Sequence, residues 1–249
     1  MSGHSKWSTI KRQKGVADAR RGQLFTKLTR EIMLAVREGG PSTDSNYALR
    51  LVVQKARDNN MPSENIERAI KRASGEGEAA NLVEFTLEGY GPSGVAVLIE
   101  VLSDNRNRTV QEVRSLLSRH GGSLGESGCV AWLFDSRGLV TVEAGDQGED
   151  EVALKAIDAG ADDVTAEGGY VEVYTEPTKM EDVRKALEAD LKVISAEVSL
   201  VPKTSVMLEE SKATQVMNLI DALEQLDDVR QVYSNADFPE SLMEKVGQS

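Results

Sequence analysis

The run GLVTVEAGDQGEDEVALKAIDAGADDVTAEGGYVEVYTEPTKMEDVRKALEADLKVISAEVSLV, residues 138–201, decides the fold. GLVTVEA reads as a strand and EDEVALKAIDAG as a helix. DDVTAEG and YVEVYTE read as strands on either side of Gly168-Gly169. KMEDVRKALEAD then returns to a helical period, and KVISAEVSLV closes the run as a strand. Over 139–201 the order is β-α-β-β-α-β, the split βαβ arrangement of a ferredoxin-like domain.

The segments on either side are incomplete taken singly. VEFTLEGYGPSGVAVLIEVLSD predicts a hairpin with strands at 83–88 and 94–102. TVQEVRSLLSRHGG predicts a helix with Val110, Val113, Leu116 and Leu117 on one face, Thr109 and Glu112 at capping-box spacing, and Gly121 as its C-terminal cap. CVAWLFD (129–135) predicts a further strand. The tail adds a helix at 212–226 and a strand at 229–235. Neither flank has enough helix to cover its own sheet, but joined they make a balanced two-layer domain.

The fold class expected is therefore α+β in three domains. A helical N-terminal domain (1–78) precedes two two-layer α/β-sandwich domains. The outer one is formed by 79–136 plus 205–249, and the inner, ferredoxin-like one (137–204) is inserted in it. Three domains strictly in series is the alternative that the pattern leaves open.

Charge separates the first part of this chain from the rest. Residues 1–75 hold 15 Lys and Arg against 7 Asp and Glu, a net of +8, whereas the remainder is −20. Such asymmetry points to a polyanion as partner of the basic part. The basic part reads as helices. GQLFTKLTREIMLAVREGG places Leu24, Phe25, Leu28, Ile32 and Val36 on one side, with Lys27, Arg30 and Arg37 roughly opposite. NYALRLVVQKARDNN turns Leu51, Val52 and Ala56 inward. MPSENIERAIKRA starts with Pro62 in its first turn and buries Ile66, Ala69, Ile70 and Ala73. SGEGEAAN (74–81) has the composition of a flexible linker.

Two stretches carry candidate binding chemistry. In the first 21 residues, Lys6, Lys11, Arg12, Lys14, Arg20 and Arg21 can neutralise phosphates, and Trp7 offers a stacking face. Lys27, Arg30 and Arg37 continue that patch along a helix. The bland alternative is a solvated tail and a wet helix face. In LSDNRNRTVQE (102–112) a strand ends, polar residues follow and a helix begins, which suits an anion. Arg106 and Arg108 could fork onto a phosphate, and Asn105 and Asn107 could read nucleic-acid edges. An ordinary βα turn, with Asp104 in an Asx turn and an arginine paired to Glu112, explains the same residues equally well.

HGGSLGESGCV (120–130) lacks the Lys-Ser/Thr of a Walker loop and reads as an irregular glycine-permitted loop. His120 reads as a partner of free carbonyls at a helix C-terminus, and Cys129, the one cysteine, as a small buried residue. Neither an HExxH motif, nor a Ser/His/Asp set, nor a nucleotide fingerprint occurs, so the expectation is a non-enzyme without metal or cofactor.

MSGHSKWSTIK, DARRGQLFTKLTREI, the AVREGGP turn, NMPSENIERAIKRA, EGYGPSGVAVLIEVLSDNRNRT and GGSLGESGCVAWLF together resemble the YebC family. That family includes mitochondrial translational activators of cytochrome c oxidase. The resemblance runs from Met1 to the C-terminal strand and implies three domains, the third inserted in the second, with no catalysis. It implies a DNA-binding transcriptional regulator of YebC type. The alternative is a ribosome-associated translation factor that contacts ribosomal RNA and eases stalled, proline-rich translation. The opening SGHSKW resembles the bacterial form rather than a transit peptide, which implies a cytoplasmic protein. By motif match, Gly3, His4, Ser5, Lys6 and Trp7, with Asn105, Arg106, Asn107 and Arg108, become expected nucleic-acid contacts. The expected partner is duplex DNA or ribosomal RNA, the ribosome included, reached by a monomer without a membrane.

Overall fold

The computed structural model describes residues 18–75, 82–239 and 241–242. These fall into two compact units. One is Trp132–Ser205; the other holds the described residues up to Ala131 and from Val206 onward. No helix among the described residues is long and apolar enough to cross a membrane.

The unit Trp132–Ser205 contains β4 (Phe134–Glu143), α5 (Glu149–Asp158), β5 (Asp163–Glu167), β6 (Tyr170–Thr175), α6 (Met180–Glu188) and β7 (Lys192–Pro202). Its sheet runs β5-β6-β4-β7, every neighbour antiparallel. That is the ferredoxin-like order: the β6 return strand lies between β4 and β5, which a helix connects. Val140, Val142, Val171 and Val173 face α5 and α6, where Val152, Ala156, Val183 and Leu187 complete the core. The low aromatic content is accommodated because β-branched side chains fill the narrow space between sheet and helix.

The second unit begins with three helices, α1 (Asp18–Gly39), α2 (Tyr47–Asp58) and α3 (Ser63–Ala73). Leu28, Ile32, Ala35 and Val36 of α1 pack with Leu49, Val53 and Ala56 of α2 and Ile66 and Ala69 of α3. Buried Asn46 fixes the first corner. Its Oδ1 accepts the Leu49 N–H at 3.0 Å, capping α2, while its Nδ2 donates to Ala35 O at 2.7 Å and Gly40 O at 2.8 Å. One amide thus satisfies orphan groups at the end of one helix and the start of the next.

The same unit continues with β1 (Val83–Tyr90), β2 (Ala96–Ser103), α4 (Arg106–Arg119) and the short β3 (Ser123–Leu124). After Ser205 come β8 (Val206–Met207), α7 (Glu210–Glu224), β9 (Val229–Ser234) and β10 (Ala236–Asp237). β9 pairs antiparallel with β2, giving a sheet in the order β3-β1-β2-β9. β8 and β10 form a separate parallel pair. Segments on either side of the ferredoxin-like unit therefore close one sheet. Val113 and Leu117 of α4 and Val216, Leu219, Ile220 and Leu223 of α7 cover that sheet's Val97, Ile99, Val101 and Val232.

Several expectations need correction. Residues 129–135 do not form a strand of their own. The Glu88 carboxylate accepts the N–H groups of Gly128 (2.6 Å), Val130 (2.8 Å) and Ala131 (2.8 Å), so these donors are not available to a ladder. A single 3-10 turn, Ala131–Leu133, follows, and the strand begins at Phe134. Burial raises the Glu88 carboxyl, but these three N–H groups outweigh it and hold it below the ordinary glutamate value. Cys129 is half-buried rather than buried.

The Thr109 capping box is also displaced. α4 starts three residues earlier, capped by Asn105, whose Oδ1 accepts the Arg108 N–H at 3.1 Å. At its other end Gly121 (φ +78°) permits a Schellman turn, with Gly121 N–H on Ser118 O and Gly122 N–H on Leu117 O. In α2, Leu51 is 46% exposed, whereas Leu49 and Val53 point inward. Removing the Leu49 side chain from its packed site is therefore expected to matter far more than removing that of Leu51. Leu49→Ala should lower unfolding free energy by about 2–5 kcal/mol, and Leu51→Ala by no more than about 0.5 kcal/mol. Urea denaturation followed by circular dichroism measures both.

Candidate nucleic-acid interface

The sequence expects Lys27, Arg30 and Arg37 to form an outward cationic stripe on α1. In the structure these side chains reach other parts of their own unit. Lys27 Nζ donates to Glu224 O and Gln23 Nε2 to Gln225 O (3.3 Å), both at the C-terminal end of α7. A cation placed there meets free carbonyls and the negative end of the helix dipole. Arg37 donates to Leu82 O. Met33 and Leu34, from the same helix, pack on Leu82 and Leu102.

Arg30 reaches further into the unit. Its guanidinium donates to Asp227 O at 3.0 Å and pairs with the Asp228 carboxylate. Asp228 has only 5% of its side chain exposed. It also accepts from Arg108 Nη2 (2.7 Å), Ser103 Oγ (2.9 Å) and Thr109 Oγ1 (2.5 Å). Burial alone would raise this carboxyl. The bonds from Thr109, Arg108, Arg30 and Ser103 outweigh it and bring the pKa down to about 2. Arg108 additionally holds Asp104 at 2.8 Å, and both carboxylates raise its own pKa further.

The SDNRNR stretch thus divides by role. Asn105 caps α4 and Arg108 holds Asp228 and Asp104, so both have a structural task and the expected pairing of an arginine with Glu112 is replaced. Arg106 and Asn107 are exposed, with the Arg106 guanidinium 4.4 Å above the centre of the Phe85 ring. Arg21 is exposed on α1. Gly3, His4, Ser5, Lys6, Trp7, Lys11, Arg12 and Lys14, as well as the side chain of Arg20, lie outside the described residues.

Sequence reasoning passed over α3. Asn65, Arg68 and Arg72 recur at i, i+3 and i+7, which sets them along one helical face. That face borders a cleft of about 580 Å³ between α1 and α3. Phe25, Met33 and Met61 supply apolar lining; Thr26, Thr29, Arg30 and Asp104 add polar groups. Arg68 is exposed and makes no hydrogen bond or ion pair among the described residues. The spacing was visible in NMPSENIERAIKRA; that it borders a cleft depended on how α1 packs against α3.

If Asp228 organises this region, its protonation must weaken the unit. Its folded pKa, about 2, lies below its ordinary 3.8, so its contribution is complete above about pH 4 and fades as pH falls toward 2. Asp228→Asn is expected to be less stable than wild type at neutral pH and to show a flatter acid limb in thermal unfolding between pH 4 and 2. Asp228→Ala, which strands Arg30, should cost about 3 kcal/mol or more.

Comparison with known proteins adds the following. A model of the TACO1/YebC protein N-terminal domain matches residues 5–76, and a model of the TACO1/YebC second and third domain matches residues 82–236. A protein of Dehalococcoides mccartyi named probable transcriptional regulatory protein is 57% identical, covering 98% of either chain. One of the same name from Halothermothrix orenii is 50% identical, covering 99% of either chain. The crystal structure of a conserved hypothetical protein from Aquifex aeolicus, 44% identical, superposes with a TM-score of 0.79, covering 89% of this chain and 92% of that one.

Proposed function

Since this chain belongs to the TACO1/YebC family, we propose that it is a non-enzymatic regulator of gene expression that binds nucleic acid, as a DNA-binding transcriptional regulator of YebC type. The name carried by the similar proteins supports a regulatory role. The observation that carries the nucleic-acid reading is the charge division, +8 in residues 1–75 against −20 in the remainder. A polyanion attracts the first part and repels the second, which orients the molecule during docking. Lys6, Lys11, Arg12, Lys14, Arg20 and Arg21 bind phosphates, Gly3, His4, Ser5 and Trp7 contribute to the same contact, and Arg106 and Asn107 add a second one. Contacts of this kind position the protein without choosing a sequence.

A second reading, a translation factor on ribosomal RNA, is favoured by the cleft beside Arg68. A pocket suits an unpaired strand better than the closed stack of a duplex.

Fluorescence anisotropy of labelled duplex DNA and titration of purified ribosomes test both. Binding should weaken with salt, with a log–log slope of about −0.9 for each phosphate neutralised on duplex DNA. Lys11→Glu combined with Arg12→Glu should reduce affinity by about a hundredfold at low salt while leaving the circular dichroism unchanged. Undiminished binding by that double variant would place the contact surface elsewhere. Tight, salt-sensitive binding to ribosomes with weak binding to DNA would select the second reading.

A further inference from the structure

We propose that the cleft between α1 and α3 receives one unpaired nucleotide of a single strand, its base against Phe25, Met33 and Met61 and its phosphate on Arg68. This deepens the nucleic-acid reading above and rests on it. The cleft has a volume of about 580 Å³, within the ~300–1,000 Å³ range of small-ligand sites. A single nucleotide is within that size, whereas a base held in a duplex must first leave its stack to reach a cleft.

The lining has the two characters that a nucleotide needs. Met33 and Met61, each only 4% exposed, give the cleft a buried, polarisable floor, and Phe25 adds a half-buried ring. Soft, apolar groups of this kind accept the face of any base. Above them stand Asn65 and Arg68. Asn65 is half-buried, and its side chain makes no hydrogen bond among the described residues, nor does that of Arg68. An amide can donate and accept at a base edge, and a guanidinium forks onto a phosphate.

Charge inside the cleft sets the sign of the ligand. Arg30 is neutralised by Asp228 and Asp104 by Arg108. Arg68, which forms no ion pair among the described residues, therefore contributes a cationic charge at the cleft. An anion with an apolar, planar portion matches this set. A neutral planar ligand would leave Arg68 unused, and an inorganic anion would leave the apolar floor unused.

The test uses the full-length protein and labelled 12-nucleotide probes. One set is single-stranded, as RNA and as DNA, with a single 2-aminopurine; the other is a duplex hairpin of the same sequence. With the wild type, single strands should bind, and the 2-aminopurine emission should change as its base leaves the stack. Arg68→Glu should weaken single-strand binding by about tenfold or more and abolish the emission change. Its effect on the duplex should be smaller. Asn65→Ala should weaken single-strand binding with the cation retained. Arg68 is exposed, so its variant should keep the wild-type circular dichroism and melting temperature. If single strands bind but neither variant nor emission responds, the cleft is not the site, while the nucleic-acid reading survives. If neither single strand nor duplex binds the wild type, that reading fails and the cleft proposal fails with it. An RNA response without a DNA response assigns the cleft to RNA.

Discussion

A buried carboxylate, Asp228, holds the larger unit together. Donors from α1 (Arg30), the end of β2 (Ser103) and the first turn of α4 (Arg108, Thr109) converge on it, although Arg30 lies 198 residues away in sequence. An ion this well covered is costly to bury unless every lone pair is used. Here four side chains use them, and the Asp228 carbonyl also accepts the Leu102 N–H at 2.8 Å. The helical region, the outer sheet and the returning chain segment are therefore constrained at one point.

That constraint explains why α1 carries basic residues on the side away from its own helical core. Lys27 and Arg30 are half-buried and complete the C-terminal end of α7 and the Asp227–Asp228 turn. Glu31, on the same helix, is buried. It receives Lys55 at 3.1 Å and lies 4.0 Å from Arg230, which in turn holds Glu84 at 2.7 Å. Glu100 stands in the same neighbourhood; burial raises its carboxyl, against the pull of Arg230. Lys27 and Arg30 of α1 are thus engaged within the unit, while Arg68, Lys71 and Arg72 of α3 are exposed.

The split has consequences for recognition. A regulator that grips nucleic-acid backbone needs cations that are not already neutralised. Arg68, on the face of α3, forms no ion pair among the described residues, whereas Arg30 of the α1 stripe is paired with Asp228. Arg106 and Asn107 project from a helix start whose neighbours Asn105 and Arg108 are fixed by structural bonds, so a contact made there is made by a rigid support.

Much of the fold was legible because it rests on local periodicity. The β-α-β-β-α-β order of 139–201, the helical first part and the incomplete flanks all follow from alternation, helical spacing and glycine placement. Where the reading failed, a distant partner intervened. Glu88 takes the N–H groups that a strand at 129–135 would have used, and Thr109 turns from capping its helix to binding Asp228. Leu49 and Leu51 are both apolar, and only the packing of α2 on α1 decided between them. By itself, then, the sequence determined the order of elements and the gathering of positive charge in the first 75 residues, since both depend on residue types and short spacings. Which of those charges face solvent was decided by tertiary structure alone. Whether an arginine is a binding group or a structural one depends on a carboxylate that folding brings to it from far along the chain.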